Sequence, residues 1–189
     1  MKRISIFVSG NGTNLQRIAE YFANDPEVEI ANVVCNNPKA YSIERAKNLG
    51  LPLRMVTKKE FNEESFTEEM LALNPDLIVL AGFLLHLPDC LIKAFPHKII
   101  NIHPALLPKY GGKGFYGEHV HQAVVAAKEP VSGITIHYVN EIYDSGEIIF
   151  QAQCQLDEDE TPDTLAAKIH QLEQTYFPVI IEKVLKGEE

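Results

Sequence analysis

The sequence predicts an α/β fold: one domain with a mostly parallel, Rossmann-like sheet, an appended antiparallel strand pair and a long carboxy-terminal helix. Up to Ile102, short apolar runs alternate with segments of helical periodicity, an order typical of parallel strands joined by right-handed crossovers. Two strand-like runs with a short connection follow, and a short connection favours antiparallel pairing. The chain then closes with a long stretch of helical periodicity.

Short apolar runs predict the five strands of the parallel part. Ile4 to Val8 is the first, and such a run indicates a strand buried on both faces. Apolar residues at helical spacing predict helices between the strands, and Gly50 is suited to end the second helix. The further strands are expected at 30–35, 53–56, 77–81 and 99–102, and the helices at 15–22, 42–49 and 61–73.

The second half of the chain departs from this alternation. Residues 131–139 and 147–154 are strand-like, and the loop between them is short enough for an antiparallel pair. From Pro162 to Leu185 the pattern is helical, with Thr161 as the expected N-cap. Because neither an internal repeat nor a linker interrupts the sequence, we expect one domain over residues 1–189.

Composition narrows the classes of function. Of the 189 residues 46% are hydrophobic, and the formal net charge is −9, which argues against a nucleic-acid-binding surface. The longest apolar run, Leu77 to Leu85, is far shorter than the roughly 20 residues that span a bilayer. The cysteines form no CxxC pair, and the start lacks the apolar region of a secretory signal. We expect a cytoplasmic protein that binds neither nucleic acid nor membrane.

A glycine-rich turn, Ser9-Gly10-Asn11-Gly12-Thr13-Asn14-Leu15, lies between the first strand and the first helix. Glycines let the backbone turn tightly, and amides at a helix start can bind an anion. A dinucleotide fingerprint would need glycine where Leu15 stands, and the second strand ends in Asn36-Asn37 rather than in an acid for the ribose. The turn therefore favours a monophosphate. The alternative is a plain turn capped by Thr13 or Asn14.

Asn101-Ile102-His103-Pro104 ends the fifth strand with two polar side chains. Because residues i and i+2 of a strand share a face, Asn101 and His103 are expected to point the same way. Pro104 prevents regular structure just beyond them. The alternative is a buried histidine bonded to a backbone carbonyl. An amide beside an imidazole, however, suits a reaction that needs a hydrogen-bond donor next to a proton carrier.

Other polar residues leave more than one interpretation open. A carboxylate at Asp144 would raise the pKa of a nearby imidazole, whereas acids in such loops usually cap turns. His170 and Glu173 are expected on one face of the closing helix, where the alternative is a solvated surface.

The remaining histidines do not form a recognisable metal site. No HExxH or comparable ligand set is present. A zinc site formed by His103, His137 and Asp144 is conceivable, but we expect no metal. His119 and His121 precede a segment, 123–127, that favours helix, and we expect both to be structural.

Four segments, in chain order, resemble the formyltransferases that use 10-formyltetrahydrofolate. They are SGNGTNL (9–15), VLAGFLLHL (79–87), NIHPALLPKY (101–110) and GITIHYVNEIYDSGEII (133–149). The last matches a family pattern in which Gly-x-Thr-x-His precedes Asp-x-Gly. The resemblance covers nearly the whole chain. The turn at 9–15 and the short length look like the members that formylate the amine of glycinamide ribonucleotide in de novo purine synthesis.

This resemblance implies 10-formyltetrahydrofolate as the co-substrate and glycinamide ribonucleotide as the acceptor. It also implies a nucleotide-phosphate half at about 1–75 and a folate and catalytic half at about 76–189. The implied catalytic residues are Asn101, His103 and Asp144. The implied substrate-binding residues are Gly12, Thr13 and Asn14 for the phosphate, Glu173 for the ribose hydroxyls, and His170 beside the phosphate. The implied folate-binding residues are Leu84, Leu85, His86, Leu87, Asn101 and Asp144.

In the implied reaction the amine attacks the formyl carbon, and charge develops on the former carbonyl oxygen. Asn101 would donate a hydrogen bond to that oxygen, and a protonated His103 would stabilise it too. Asp144 is expected to keep the imidazole charged near neutral pH. The proton of the amine would reach the leaving nitrogen through His103, Asp144 or a water.

Some positions depart from the family pattern. An arginine often stands where this chain has Leu85, and acidic Glu63 and Glu64 lie where a basic contact to the folate tail would be sought. The loop at 111–117 is long and rich in glycine, and Lys113 adds a positive charge there. Such a loop is expected to act as a mobile cover over the site.

Other functions stay open at the level of sequence. A formyltetrahydrofolate hydrolase, or another formyltransferase, would use the same scaffold. A non-catalytic sensor would bind folate or nucleotide without turnover. A reductase with a nicotinamide cofactor is disfavoured by Leu15. The sequence does not distinguish a monomer from a homodimer.

Overall fold

The structure is a computed structural model, and it describes residues 1–188. The strands are β1 (Lys2–Val8), β2 (Val28–Cys35), β3 (Leu53–Met55), β4 (Leu77–Leu80), β5 (Ile99–His103), β6 (Val131–Tyr138) and β7 (Ile148–Gln155). The helices are α1 (Thr13–Phe22), α2 (Ser42–Asn48), α3 (Lys58–Phe61), α4 (Glu64–Leu73), α5 (Asp89–Ala94), α6 (Glu118–Ala126) and α7 (Pro162–Lys186).

A seven-stranded sheet has the order β3-β2-β1-β4-β5-β6-β7. β1 pairs in parallel with β2 and β4, and further parallel pairs join β2 to β3 and β4 to β5. β6 and β7 are antiparallel. The predicted α/β fold, with its mostly parallel sheet, appended antiparallel pair and long closing helix, is confirmed.

The chain divides into two compact units, one up to Asn101 and one from Ile102 onward. In the first unit, β4 and most of β1 are buried, as their apolar runs predicted. The ring edge of Phe7 packs against Phe83 at a centroid distance of 5.3 Å, and against Phe61 and Phe66 at 6.1 Å. Each such side chain stabilises the fold by about 1.5–3 kcal/mol. This core fixes the strand ends from which the polar loops of the unit emerge.

The single helix predicted over 61–73 is wrong, because α3 and α4 replace it. Thr57 and Glu60 form a capping box that starts α3 ahead of the predicted boundary. The side chain of Asn62 then donates to the carbonyl of Lys58 at 2.6 Å, which competes with the helical hydrogen bonds. Glu63 is extended and begins the next helix. Local polar groups therefore override a continuous apolar period.

The short helix α5 and the first residues of α6 were not predicted from the sequence. α5 spans Asp89–Ala94 directly after Pro88, and so few residues carry little periodic signal. α6 begins at Glu118 and includes both His119 and His121, which extends the helical tendency at 123–127 towards the amino terminus.

The second unit contains the antiparallel pair and the closing helix. β6 is buried from Ser132 onward, whereas β7 alternates between more and less exposed residues, as an edge strand does. Thr161 caps α7 through the amide of Thr164, so the predicted N-cap is confirmed. Within residues 1–188 no helix is both long and apolar enough to cross a membrane.

Candidate active site

β5 ends at His103, whose side chain is only 4% exposed. Its Nε2 lies 2.7 Å from the backbone oxygen of Tyr110. Because a carbonyl oxygen only accepts, Nε2 carries the hydrogen of this bond. The other ring nitrogen, Nδ1, faces Oδ2 of Asp144 at 3.7 Å. The structure thus brings together two of the predicted catalytic residues, and it fixes which nitrogen of the imidazole is available for chemistry.

Asp144 is held from several sides. Its backbone is left-handed, with φ of 50°, a conformation that aspartate tolerates better than most residues. The amide of Gly112 donates to Oδ2 at 2.8 Å, and Nε2 of His137 lies 3.6 Å from Oδ1. The side chain is 13% exposed. Asp144 is therefore more than a turn cap, since its carboxylate points at two buried imidazoles.

Burial and neighbouring charges act in opposite directions on the pKa values of His103 and Asp144. Burial lowers the pKa of His103, and although Asp144 and the Tyr110 carbonyl act in the opposite direction, the pKa stays below its ordinary value. Burial alone would raise the pKa of Asp144, but His137, His103 and the amide of Gly112 together lower it. Burial and charge together favour a neutral imidazole beside a carboxylate. The lowered pKa of His103 runs against the prediction that Asp144 keeps the imidazole charged near neutral pH, because burial outweighs the carboxylate.

His137, which the sequence grouped with His103 and Asp144 only as a conceivable zinc ligand, is a member of this cluster. It lies on β6, where its Nδ1 donates to the backbone oxygen of Tyr138 at 2.9 Å. Thr135, two residues earlier, accepts from the amide of Leu107 at 3.0 Å and donates to the oxygen of Ala105 at 2.7 Å. The Gly-x-Thr-x-His pattern was therefore a usable signal. Thr135 fixes the chain after β5, and His137 faces the carboxylate.

Asn101 lies two residues before His103 on β5 and is partly buried. Its partner across the parallel ladder is Leu80 of β4. Its role towards a formyl group stays a prediction.

Within residues 1–188 no group of three or more His, Cys, Asp or Glu side chains is arranged to hold a metal ion. In the cluster of His103, His137 and Asp144, one ring nitrogen of each histidine lies 3.6–3.7 Å from a carboxylate oxygen.

The glycine-rich turn at residues 9–15 offers backbone amides at the start of α1 rather than titratable side chains. Gly12 is the N-cap of α1, with φ of 77° and no side-chain cap, so the alternative of a turn capped by Thr13 or Asn14 is wrong. A Cβ at Gly12 would lie 2.6 Å from Cβ of Ser42. The first amides of a helix have no intrahelical acceptor and attract anions. The turn therefore presents backbone donors, as expected of a phosphate site.

Arg45 of α2, which sequence reasoning missed, holds this turn. Its Nε donates to the backbone oxygen of Asn11 at 2.9 Å, and its Nη2 donates to Oδ1 of Asn11 at 3.2 Å. The guanidinium also bonds Gln16 and lies 4.9 Å from the ring centroid of Tyr41. Its distance from the turn along the chain left no local signal that the two would meet.

The residues expected to line a pterin slot follow Gly82. The amide of Leu84 donates to Oγ of Ser9 at 2.8 Å, which ties the segment to the glycine-rich turn within the first unit. Leu87 is buried, whereas Leu84 is 57% exposed and His86 is exposed too. Leu85 is partly buried.

The two predicted ribose- and phosphate-binding residues lie on one face of α7. Nδ1 of His170 is 3.9 Å from Oε2 of Glu173. Glu173 is only 16% exposed at its side chain, so the alternative of a solvated surface does not hold for it.

The two histidines of α6 have different surroundings. Burial lowers the pKa of His121, although the negative charge of Glu173 acts against that shift. His119 packs against the ring of Tyr116 at 5.3 Å.

The chain is similar to known proteins over most of its length. A family model described as formyl transferase matches residues 2–181. The chain is 35% identical over 191 residues to phosphoribosylglycinamide formyltransferase of Bacillus subtilis, which covers 98% of this chain and 95% of that protein.

A second relative and a solved structure extend the comparison. The chloroplastic phosphoribosylglycinamide formyltransferase of Arabidopsis thaliana is 36% identical over 95% of this chain, and the chain spans 64% of that protein's length. The crystal structure of phosphoribosylglycinamide formyltransferase from Anaplasma phagocytophilum superposes with a TM-score of 0.89 at 31% identity. That match covers 98% of this chain and 87% of the other.

Proposed function

The chain belongs to the formyl transferase family, and on that basis we propose that it transfers a formyl group from 10-formyltetrahydrofolate to the amine of N1-(5-phospho-D-ribosyl)glycinamide, a step of de novo purine synthesis. The observation that carries the proposal is the buried His103–Asp144 pair at the end of β5, in which Nδ1 of the imidazole lies 3.7 Å from Oδ2 of the carboxylate. We expect the reaction to take place in the cytoplasm, with the protein acting as a monomer or a homodimer.

The acceptor is recognised at its sugar phosphate. Backbone and side-chain donors of Gly12, Thr13 and Asn14 bind the phosphate, because the start of α1 presents amides and partial positive charge. Glu173 accepts hydrogen bonds from the ribose hydroxyls, and His170 lies beside the phosphate. Their place on one helix face is consistent with a shared ligand.

The folate is a co-substrate and not a resident group of the enzyme. Leu84, Leu85, His86 and Leu87 contact the pterin, largely through backbone groups. Asn101 and Asp144 contact the part of the folate that carries the formyl group. This assignment rests on the family resemblance of the segments at 79–87, 101–110 and 133–149.

The chemistry follows from the protonation states of the pair. The amine of the acceptor attacks the formyl carbon, and Asn101 donates a hydrogen bond to the oxygen on which charge develops. Nδ1 of neutral His103 takes the proton that the amine loses, directly or through a water. Asp144 then stabilises the imidazolium at 3.7 Å. The same proton passes to N10 of the folate as the carbon–nitrogen bond breaks, which yields formylated amine and tetrahydrofolate.

The test is formyl transfer with purified protein, glycinamide ribonucleotide and 10-formyltetrahydrofolate, with both products measured. His103→Ala and Asp144→Asn are each expected to lower kcat by about 10²–10³. The exposed His97 offers a matched control as His97→Ala, which should turn over normally. Near-normal turnover in both active-site variants would overturn the assigned roles. Release of formate without formylated amine would instead point to a hydrolase, and binding of both ligands without any product would point to a sensor.

A further inference from the structure

Three consecutive residues, Tyr110, Gly111 and Gly112, contact both members of the catalytic pair, and we refer to them as the bracket. The carbonyl of Tyr110 accepts from Nε2 of His103 at 2.7 Å, and the amide of Gly112 donates to Oδ2 of Asp144 at 2.8 Å. A side chain between these two contacts would have to displace its neighbours. A Cβ at Gly111 would clash with Leu107 and lie 3.3 Å from Cβ of Asp144. The position of the bracket therefore sets the orientation of His103 and Asp144 together.

The bracket has an unfavourable backbone at its first residue. Tyr110 has φ of 55°, in the left-handed region, which a bulky side chain rarely adopts. Such a conformation persists where the surroundings fix it, and it is common at functional sites. Were Tyr110 to relax, its carbonyl would rotate away from His103. The hydrogen that is now fixed on Nε2 would then be free to move to Nδ1, the nitrogen that faces Asp144.

The side chains at the start of the bracket are anchored on one carboxylate. Oη of Tyr110 donates to Oε1 of Glu129 at 2.8 Å, and Nζ of Lys109 lies 2.9 Å from the same oxygen. Glu129 is 20% exposed at its side chain, and it lies between the end of α6 and the start of β6. The ring of Phe115 packs against that of Tyr110 at 6.2 Å.

We propose that Glu129 is a positioning residue for the catalytic pair, acting through the hydroxyl of Tyr110 to hold the bracket against His103 and Asp144. The effect of Glu129 on the two catalytic side chains is transmitted by the backbone of Tyr110 to Gly112. The inference rests on the proposed function for its kinetic consequence. Its structural consequence, the fixed hydrogen on Nε2 of His103, does not depend on which reaction is catalysed.

The first experiment determines which ring nitrogen of His103 carries the hydrogen. Nitrogen-15 NMR of the full chain, without substrates, distinguishes the Nε2–H from the Nδ1–H form of His103. The wild-type protein should show the Nε2–H form, whereas Tyr110→Phe and Glu129→Ala should show a mixture of both forms. The other charged groups that face His103, namely Asp144, His137 and His121, stay unchanged in these variants. A spectrum of His103 that is the same in all three proteins would overturn the proposal even if no formyl transfer is observed.

The second experiment uses kinetics to separate positioning from substrate binding. Tyr110→Phe and Glu129→Ala should each lower kcat about 10-fold with KM within about 2-fold, because a displaced catalytic group loses rate rather than affinity. The double variant should be no slower than either single variant, since both changes remove the same hydrogen bond between Tyr110 and Glu129.

Glu129→Gln serves as the conservative variant, because it keeps an acceptor for the Tyr110 hydroxyl and should recover most of the rate. Glu29→Ala, which removes a surface partner of Arg3 in the first unit, should behave as wild type. Additive losses, or a kcat for Tyr110→Phe within about 2-fold of wild type, would refute the proposal.

Discussion

His103 is the residue where burial, a carboxylate and a backbone carbonyl act on one ring. Burial lowers its pKa, and the other two oppose that shift without cancelling it. A resting imidazole that is neutral and has Nε2 occupied can accept a proton only at Nδ1. The pair with Asp144 thus begins the reaction as a base and a carboxylate, and the charge on the ring arises during catalysis.

This state predicts a pH dependence. If the neutral ring takes the proton, kcat/KM should rise with pH as the His103–Asp144 pair loses a proton and then level off. Asp144→Asn removes a contribution that raises the pKa of His103, so the rising limb should move to lower pH while the plateau falls. The measurement is kcat/KM between about pH 4 and 8 for both proteins. A limb that stays in place, or moves to higher pH, would contradict a neutral His103 as the base.

Arg45 leads to a second prediction at this scale. Its guanidinium holds both the backbone and the side chain of Asn11, directly before Gly12. Arg45→Met should loosen the turn and raise KM for glycinamide ribonucleotide about 10-fold, with kcat within about 2-fold, because charge-assisted hydrogen bonds are lost away from the reacting atoms. Lys47→Met on the same helix removes a surface contact with Glu44 and serves as the control. An unchanged KM for the acceptor in Arg45→Met would argue against this role for the turn.

Sequence reasoning reached some of these residues and not others. Asn101 and His103 followed from strand alternation and from the proline after them, which are local signals. The approach of Asp144 to His103 was left open, because it depends on how a distant loop returns to β5. Arg45 and Tyr110 carried no signal, since one acts from a neighbouring helix and the other through its backbone oxygen.

At the scale of elements, α7 is fixed at its start by more than its capping residue. Nζ of Lys168 bonds Oδ2 of Asp157 at 2.7 Å and also bonds Glu160, while it donates to the oxygen of Gln155 at 3.1 Å. Glu160 is 4% exposed at its side chain, and although burial opposes ionisation, Lys168 and Thr164 lower its pKa to about 2. These contacts join the end of β7 to the first turns of α7.

Lys168→Met should therefore lower the thermal midpoint by a few degrees at neutral pH, since it leaves the Glu160 carboxylate without its cation. The pKa of Glu160 is depressed in the folded state, so this stability is present above the ordinary pKa of a glutamate and is lost as the pH falls towards about 2. Lys186→Met removes an exposed pair with Glu182 on the same helix and is the control. Differential scanning calorimetry at several pH values provides the measurement. A difference between Lys168→Met and wild type that persists unchanged into strong acid would contradict the electrostatic origin.

The elements also show where periodicity alone is a sufficient guide. Strands β1, β4 and β5 and helix α7 were predicted close to their observed bounds, because each is a long or strongly apolar pattern. The break between α3 and α4 was not predicted, because it depends on side-chain hydrogen bonds of Thr57 and Asn62. These bonds interrupt the helix although the apolar pattern continues through it.

On the scale of the whole molecule, the alternation of strands and helices sufficed to predict the α/β class. The order of strands in the sheet could not be predicted from this alternation, because pairing between β1 and β4 joins segments that lie far apart in sequence. Strand burial offered a partial guide, since the apolar runs of β1 and β4 lie inside the sheet while the alternating β7 lies at its end. Long-range register remains a property of packing rather than of any local pattern.

The strand order has a consequence for the nascent polypeptide. β1 is flanked by β2 and β4, and β4 ends at Leu80, so every strand of the β3-β2-β1-β4 portion exists once residue 80 has left the ribosome. Residues 81–103, which complete β5, then need on the order of 1–5 s to follow. During that interval the free edge of β4 awaits β5, and a chaperone that shields this edge would protect the emerging enzyme from aggregation.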